Sequence, residues 1–232
     1  MQNPKNNFEK KTTRTRSTST KTDTQNLSII RIAILFSGNG SNLENIVRYF
    51  SQVDKNAQKS SQAESIRVKF PIAICNKKEA YGITRCQNLG IKCKILPHTD
   101  FANRIDFDRE LADILRDESI DLVVLAGFMR ILGSEFVREF QVINIHPSFL
   151  PLHKGANAIK DSYNSSEDFG GVSVHWVSEE LDAGEIILQE KLPKIVGESL
   201  ESFEDRIHAL EYAIYPKALQ KVLFCKSLAR TP

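Results

Sequence analysis

Short, nearly unbroken apolar runs recur along the chain, and between them the apolar residues fall at helical spacing. Residues 29–36 read Ile-Ile-Arg-Ile-Ala-Ile-Leu-Phe, as expected of a strand buried on both faces of a parallel sheet. A small-residue turn, Ser37-Gly38-Asn39-Gly40-Ser41-Asn42, follows, and then Leu43, Ile46, Val47 and Phe50 mark one face of a helix. The same logic predicts a strand over 67–75, a helix over 78–89 closed by Gly90, and a strand over 91–96. It continues with a helix whose buried face carries Phe107, Leu111, Ile114 and Leu115, a strand over 121–126, a short helix over 134–140 and a strand at 142–146. Repeated βα units predict an α/β fold with a doubly wound, mostly parallel sheet, whose ligands lie beyond the carboxyl ends of the strands.

Beyond a helix near 157–164 the period changes. Val172, Val174 and Trp176 alternate with Ser173 and His175, placing the last two on one face of a strand, where His175 reads as a supporting group. The tight loop Glu180-Leu181-Asp182-Ala183-Gly184 feeds a strand over 185–189, close to a hairpin with Asp182 at its tip. A C-terminal helix from about Leu200 turns Phe203, Ile207, Leu210 and Ile214 inward until Pro216 breaks or kinks it, with His208 and Glu211 sharing another face. Residues 51–65 are polar and aperiodic, which predicts a surface connection. Residues 1–28 are nearly devoid of apolar side chains and predict a disordered basic tail. Residues 29–232 then make one domain.

Composition narrows the class. In 232 residues, 41% are hydrophobic and 26% charged, and 31 basic residues nearly balance 29 acidic ones for a net +2. That balance argues against a nucleic-acid or membrane partner for the whole surface, and no apolar run approaches the roughly 20 residues of a membrane helix. The tail lacks the apolar stretch of a secretory signal, so a cytoplasmic location is expected, although its basic residues leave room for an organelle transit peptide. Cys75, Cys86, Cys93 and Cys225 form no C-x-x-C pair and read as free thiols in a reducing compartment. The five histidines have no metal-ligand spacing, so no metal is expected.

The chemistry concentrates at Val142-Ile143-Asn144-Ile145-His146-Pro147. On a strand, Asn144 and His146 share a face while Ile143 and Ile145 turn to the core, and Pro147 ends the strand at a ligand-accessible rim. An amide and an imidazole can stabilise the oxyanion of an acyl transfer, and a carboxylate such as Asp182 would favour the imidazolium. The sequence leaves open whether Asp182 reaches His146. The loop at 38–42 is not G-x-G-x-x-G, but its bared N–H groups at a helix start suit a monophosphate. Ser148 lacks the G-x-S-x-G setting of a nucleophile.

Six blocks in this order, Gly38-Asn39-Gly40-Ser41-Asn42-Leu43, Leu125-Ala126-Gly127-Phe128-Met129-Arg130-Ile131-Leu132, Asn144-Ile145-His146-Pro147-Ser148, Ser173-Val174-His175, Glu180-Leu181-Asp182-Ala183-Gly184 and Ala213-Ile214-Tyr215-Pro216, resemble the phosphoribosylglycinamide formyltransferases over residues 29 to about 224. The resemblance implies formyl transfer from 10-formyltetrahydrofolate to the amine of glycinamide ribonucleotide in purine synthesis. It implies Asn144, His146 and Asp182 as catalytic, with His146 the proton donor. Gly40, Ser41 and Asn42 would hold the ribose phosphate, with His208 and Glu211 on the nucleotide side. Arg104, Met129, Arg130, Ile131, Leu132 and Leu181 would meet the folate. Partners are then small molecules, without nucleic acid or membrane, and oligomeric state is not readable. Two other readings are a methionyl-tRNA formyltransferase catalytic domain and a folate- or nucleotide-binding module without turnover. The first requires an RNA-binding extension, whereas few residues follow Phe224; the second has no use for a proton donor beside a formyl carbon.

Overall fold

Alternating strands and helices assemble in the computed structural model, which describes residues 28–59 and 66–229, into one seven-stranded sheet. In chain order the elements are β1 (Ser28–Phe36), α1 (Ser41–Lys59), β2 (Ile66–Cys75), α2 (Gly82–Leu89), β3 (Cys93–Ile95), α3 (Arg104–Asp117), β4 (Leu122–Leu125), α4 (Ser134–Glu139), β5 (Val142–His146), α5 (Ala158–Asn164), β6 (Phe169–Trp176), β7 (Ile186–Pro193) and α6 (Leu200–Ala229). The strand order is β3-β2-β1-β4-β5-β6-β7, with β1 to β5 parallel and β6 antiparallel to both β5 and β7. The chain reverses its direction of winding between β1 and β4, so the loops leaving these strands part and open a crevice at the carboxyl edge.

Side-chain alternation on the central strands splits the core in two. Ile30, Ile32, Ile34 and Phe36 of β1 pack with Leu43 and Ile46 of α1 and with Phe203, Ile207, Ile214 and Tyr215 of α6. Ala33 and Leu35 face Phe107, Leu111 and Leu115 of α3 and Phe136 of α4. On β5, Ile143 and Ile145 join the first layer and Val142 the second, so Asn144 and His146 emerge on the side that Val142 occupies.

Three features differ from the sequence expectations. Residues 51–59 are not a surface connection but the second half of α1; the segment holds no proline or glycine, and its Gln, Lys and Ala residues are good helix formers. Residues 60–65 lie outside the described residues, as does the tail except Ser28, which opens β1. Pro216 does not end α6, which continues to Ala229. A proline at 216 leaves the carbonyl of Tyr212 without its helical N–H, and Asn45 of α1 supplies a donor instead, its Nδ2 2.9 Å from that oxygen.

Candidate active site

The register between β5 and β6 builds the floor of the site. Asn144 pairs with His175 and His146 with Ser173, so all four side chains stand on one face of two adjacent strands. His175 is buried and its Nδ1 donates to the carbonyl of Trp176 at 2.8 Å, while Nε2 meets Asn144 Nδ2 at 3.3 Å. Burial holds the His175 pKa below the usual imidazole range, favouring the neutral ring in which Nε2 accepts from the amide.

Asp182 arrives from the β6–β7 connection. Its φ is 49°, a left-handed conformation that aspartate tolerates better than most residues. The turn behind it requires Gly184, because a Cβ there would sit 1.7 Å from the Trp176 carbonyl oxygen. The carboxylate is buried: Oδ2 accepts from the Gly155 N–H at 2.9 Å and lies 3.4 Å from His146 Nδ1, and Oδ1 lies 3.8 Å from His175 Nε2. His146 Nε2 donates to the carbonyl of His153 at 2.9 Å. Both nitrogens of His146 therefore face oxygen acceptors, an arrangement matched by the imidazolium, which donates from both.

Beside this group lies a cavity of about 340 Å³. Residues 127–132 wall one side, residues 177–182 the other, and Asn144, His146 and His175 its floor. Met129, Arg130, Ile131, Leu132 and Leu181 all line it. Arg104 does not. It borders a second cavity of about 280 Å³ between α3 and α4, with Asp108 and Gly133. Asp108 is buried, and burial raises its pKa despite a hydrogen bond from Gly133 N at 2.7 Å and the charges of Arg104 and Arg130. Arg104 and Arg130 thus stand near one carboxylate between the two cavities.

The 38–42 loop sits on the same edge. Gly40 has φ 73°, and a Cβ there would lie 2.7 Å from Gly82 Cα, so only glycine lets the loop rest on α2. The loop is tied to the 127–132 wall: Ser37 N donates to Gly127 O at 3.0 Å and Ser37 Oγ accepts from Met129 N at 2.7 Å. Ser41 begins α1, whose first N–H groups have no helical acceptor, and the buried Asn42 leaves its Oδ1 without a partner. On α6, His208 Nδ1 lies 2.8 Å from Glu211 Oε2, one turn before Tyr215, whose hydroxyl donates to Leu125 O at 2.8 Å at the carboxyl end of β4. That contact with Glu211 raises the His208 pKa. Sequence reasoning missed Ser37, the His153 carbonyl and the Gly155 N–H; the last two act through backbone, which residue identity does not signal. Among the described residues no group of three or more His, Cys, Asp or Glu is arranged to hold a metal ion.

The family model described as formyl transferase matches residues 30–219. The chain is 34% identical over 192 residues to phosphoribosylglycinamide formyltransferase of Haemophilus influenzae, covering 82% of this chain and 85% of that protein. It is 39% identical over 194 residues to the trifunctional purine biosynthetic protein adenosine-3 of Bos taurus, covering 83% of this chain but only 18% of that much longer protein. The crystal structure of phosphoribosylglycinamide formyltransferase from Campylobacter jejuni superposes with a TM-score of 0.76 at 43% identity, covering 85% of this chain and all of that one.

Proposed function

The chain belongs to the formyl transferase family, with phosphoribosylglycinamide formyltransferases among its relatives of similar length, and from that premise we propose that it transfers a formyl group from 10-formyltetrahydrofolate to the amine of glycinamide ribonucleotide. The observation that carries this reading is the convergence of Asn144, His146 and Asp182 at the floor of one apolar-walled slot. The folate ring fits between the 127–132 and 177–182 walls, and the ribonucleotide phosphate at the start of α1.

The acceptor nitrogen attacks the formyl carbon, and the carbonyl oxygen takes the electron pair. Asn144 Nδ2 and the His146 imidazolium donate to that oxygen, competing with the His153 carbonyl for the Nε2 proton. Asp182 balances the imidazolium charge. Collapse re-forms the carbonyl and breaks the bond to the folate nitrogen, which gains one proton as the acceptor amine loses one. The substrates are small molecules, and we place the reaction in the cytoplasm; no described helix is long and apolar enough to cross a membrane.

The test is deformylation of 10-formyltetrahydrofolate in the presence of either glycinamide ribonucleotide or charged initiator tRNA. Turnover with the ribonucleotide alone supports the proposal. Turnover only with the tRNA overturns it.

A further inference from the structure

α2 grips the 38–42 loop through two residues one turn apart, Gly82 and Arg85. Gly82 N donates to Gly38 O at 3.1 Å. Arg85 donates from Nε to Asn39 O and from Nη2 to Asn39 Oδ1, both at 2.9 Å, so one edge of the planar guanidinium holds that residue by backbone and side chain together. Its Nη1 pairs with Glu44 in the first turn of α1, and the guanidinium carbon stands 5.0 Å from the centre of the Tyr81 ring. Loop, helix and ring thus hold the Arg85 head group from three directions.

These bonds give the loop a direction. In a trans peptide the C=O and the following N–H point opposite ways, and the only cis bond among the described residues lies far off, at Leu150-Pro151. The carbonyls of Gly38 and Asn39 both point at α2, so the N–H groups of Asn39 and Gly40 point away from it. Gly40 O accepts from Glu44 N at 3.0 Å, the first bond of α1, which leaves the N–H groups of Ser41, Asn42 and Leu43 ahead of the first helical donor. Residues 39–43 therefore present a run of N–H groups without backbone acceptors among the described residues, the makings of an anion nest. Glu44 sets a carboxylate beside this run, where it would repel an anion. Arg48, with Nη2 2.6 Å from Glu44 Oε1, and Arg85 on Oε2 together offset that charge.

Taking residues 38–42 as the phosphate site, as the proposed function does, we propose that Arg85 is the positioning residue of that site. It aims the Gly40 N–H by fixing the Asn39 carbonyl and cancels the charge of Glu44 next to the phosphate. The bonds to Asn39 and Glu44 occupy three of the guanidinium nitrogens' donors, so Arg85 acts through the loop and does not itself hold the substrate.

The experiment compares full-length Arg85→Ala and Arg85→Lys with the parent, by steady-state kinetics and by backbone amide order parameters of the ligand-free protein. Lysine keeps a cation beside Glu44 but has no planar fork for Asn39, so it tests the tether in a chain that retains its charge. Expected in both variants are order parameters that fall at residues 38–43 and not elsewhere. The KM for glycinamide ribonucleotide is expected to rise about tenfold, the scale of one hydrogen bond to a charged group, with kcat within about twofold of the parent. A raised KM with an unchanged loop makes Arg85 a substrate ligand and overturns the proposal. So do a loosened loop with the parental KM, and order lost throughout the chain in both variants. If the parent turns over no ribonucleotide, the formyl-transfer reading fails by itself. The tether is then judged on the order parameters and on inorganic phosphate, which the parent is expected to bind about tenfold more tightly than either variant; equal affinities overturn it.

Discussion

The Asn144 amide and the His175 imidazole meet at 3.3 Å across paired positions of β5 and β6. Because the Trp176 carbonyl takes the proton on His175 Nδ1, the lone pair of Nε2 decides which end of the amide faces the ring. It selects the NH2 group, whose second N–H is then free for a substrate oxygen.

Replacing His175 with Phe removes that selection while keeping the aromatic volume. The expected outcome is a fall in kcat of at least about tenfold, part of what loss of an oxyanion donor costs, with KM for the nucleotide little changed, measured by steady-state kinetics. The pH dependence has a definite sign. The native state disfavours the imidazolium of His175, so the unfolded chain binds that proton first. The group's stabilising contribution is complete above the ordinary imidazole value near 6.5 and is lost as pH falls toward the depressed native value. Denaturant titrations across this range are expected to show a shallower acid-side loss in His175→Phe than in the parent.

His146→Ala and Asp182→Ala are expected to abolish turnover while leaving ribonucleotide binding measurable by calorimetry. Asp182→Asn keeps an acceptor for Gly155 N but removes the charge beside His146, and so separates folding of the loop from chemistry. Asn144→Ala is expected to cost about 3 kcal/mol of transition-state stabilisation. A normal rate in any of these variants removes that residue from the mechanism.

Much of this site was legible in the sequence because strand alternation is local. The two-residue spacing of Asn144 and His146 fixed their common face, and the alternation from Val172 to Trp176 put His175 on a polar one. The approach of Asp182 was not legible. It depends on a positive φ at 182 and on Gly184 lying against the Trp176 carbonyl, a contact between loop and strand that no periodicity encodes. The second half of α1 escaped for the opposite reason: a polar helix end leaves no hydrophobic repeat to read. Arg104 was grouped with the residues of the donor slot but lies in the adjoining cavity, since motif order carries no information about which side of the 129–132 segment a distant helix occupies.

Pro216 was expected to break or kink α6; the helix is not broken, and Asn45 explains why it tolerates the proline. Asn45→Ala leaves the Tyr212 carbonyl without its side-chain donor and is expected to destabilise the fold by about 1 kcal/mol. In Pro216→Ala the helix supplies its own N–H, so the same Asn45 substitution is expected to cost less. A double-mutant cycle in urea checks the coupling.

The His208–Glu211 pair carries the other pH signature. The hydrogen bond and charge of Glu211 raise the native His208 pKa, so its contribution is fully present below the ordinary value near 6.5 and is lost as pH rises through the raised native value. Ribonucleotide affinity is expected to weaken over the same interval as the imidazolium is lost. Glu211→Gln is expected to move the His208 titration to lower pH, read from its ring-proton chemical shift.

The mouth of the larger cavity has a further consequence outside catalysis. Met129, Ile131 and Leu181 stand 69%, 56% and 48% exposed around one opening, where a flat aromatic molecule would shield them from water. On the proposed function, purified stocks are expected to clump sooner when stripped of folate-like compounds and to stay dispersed when stored with one, as light scattering would show.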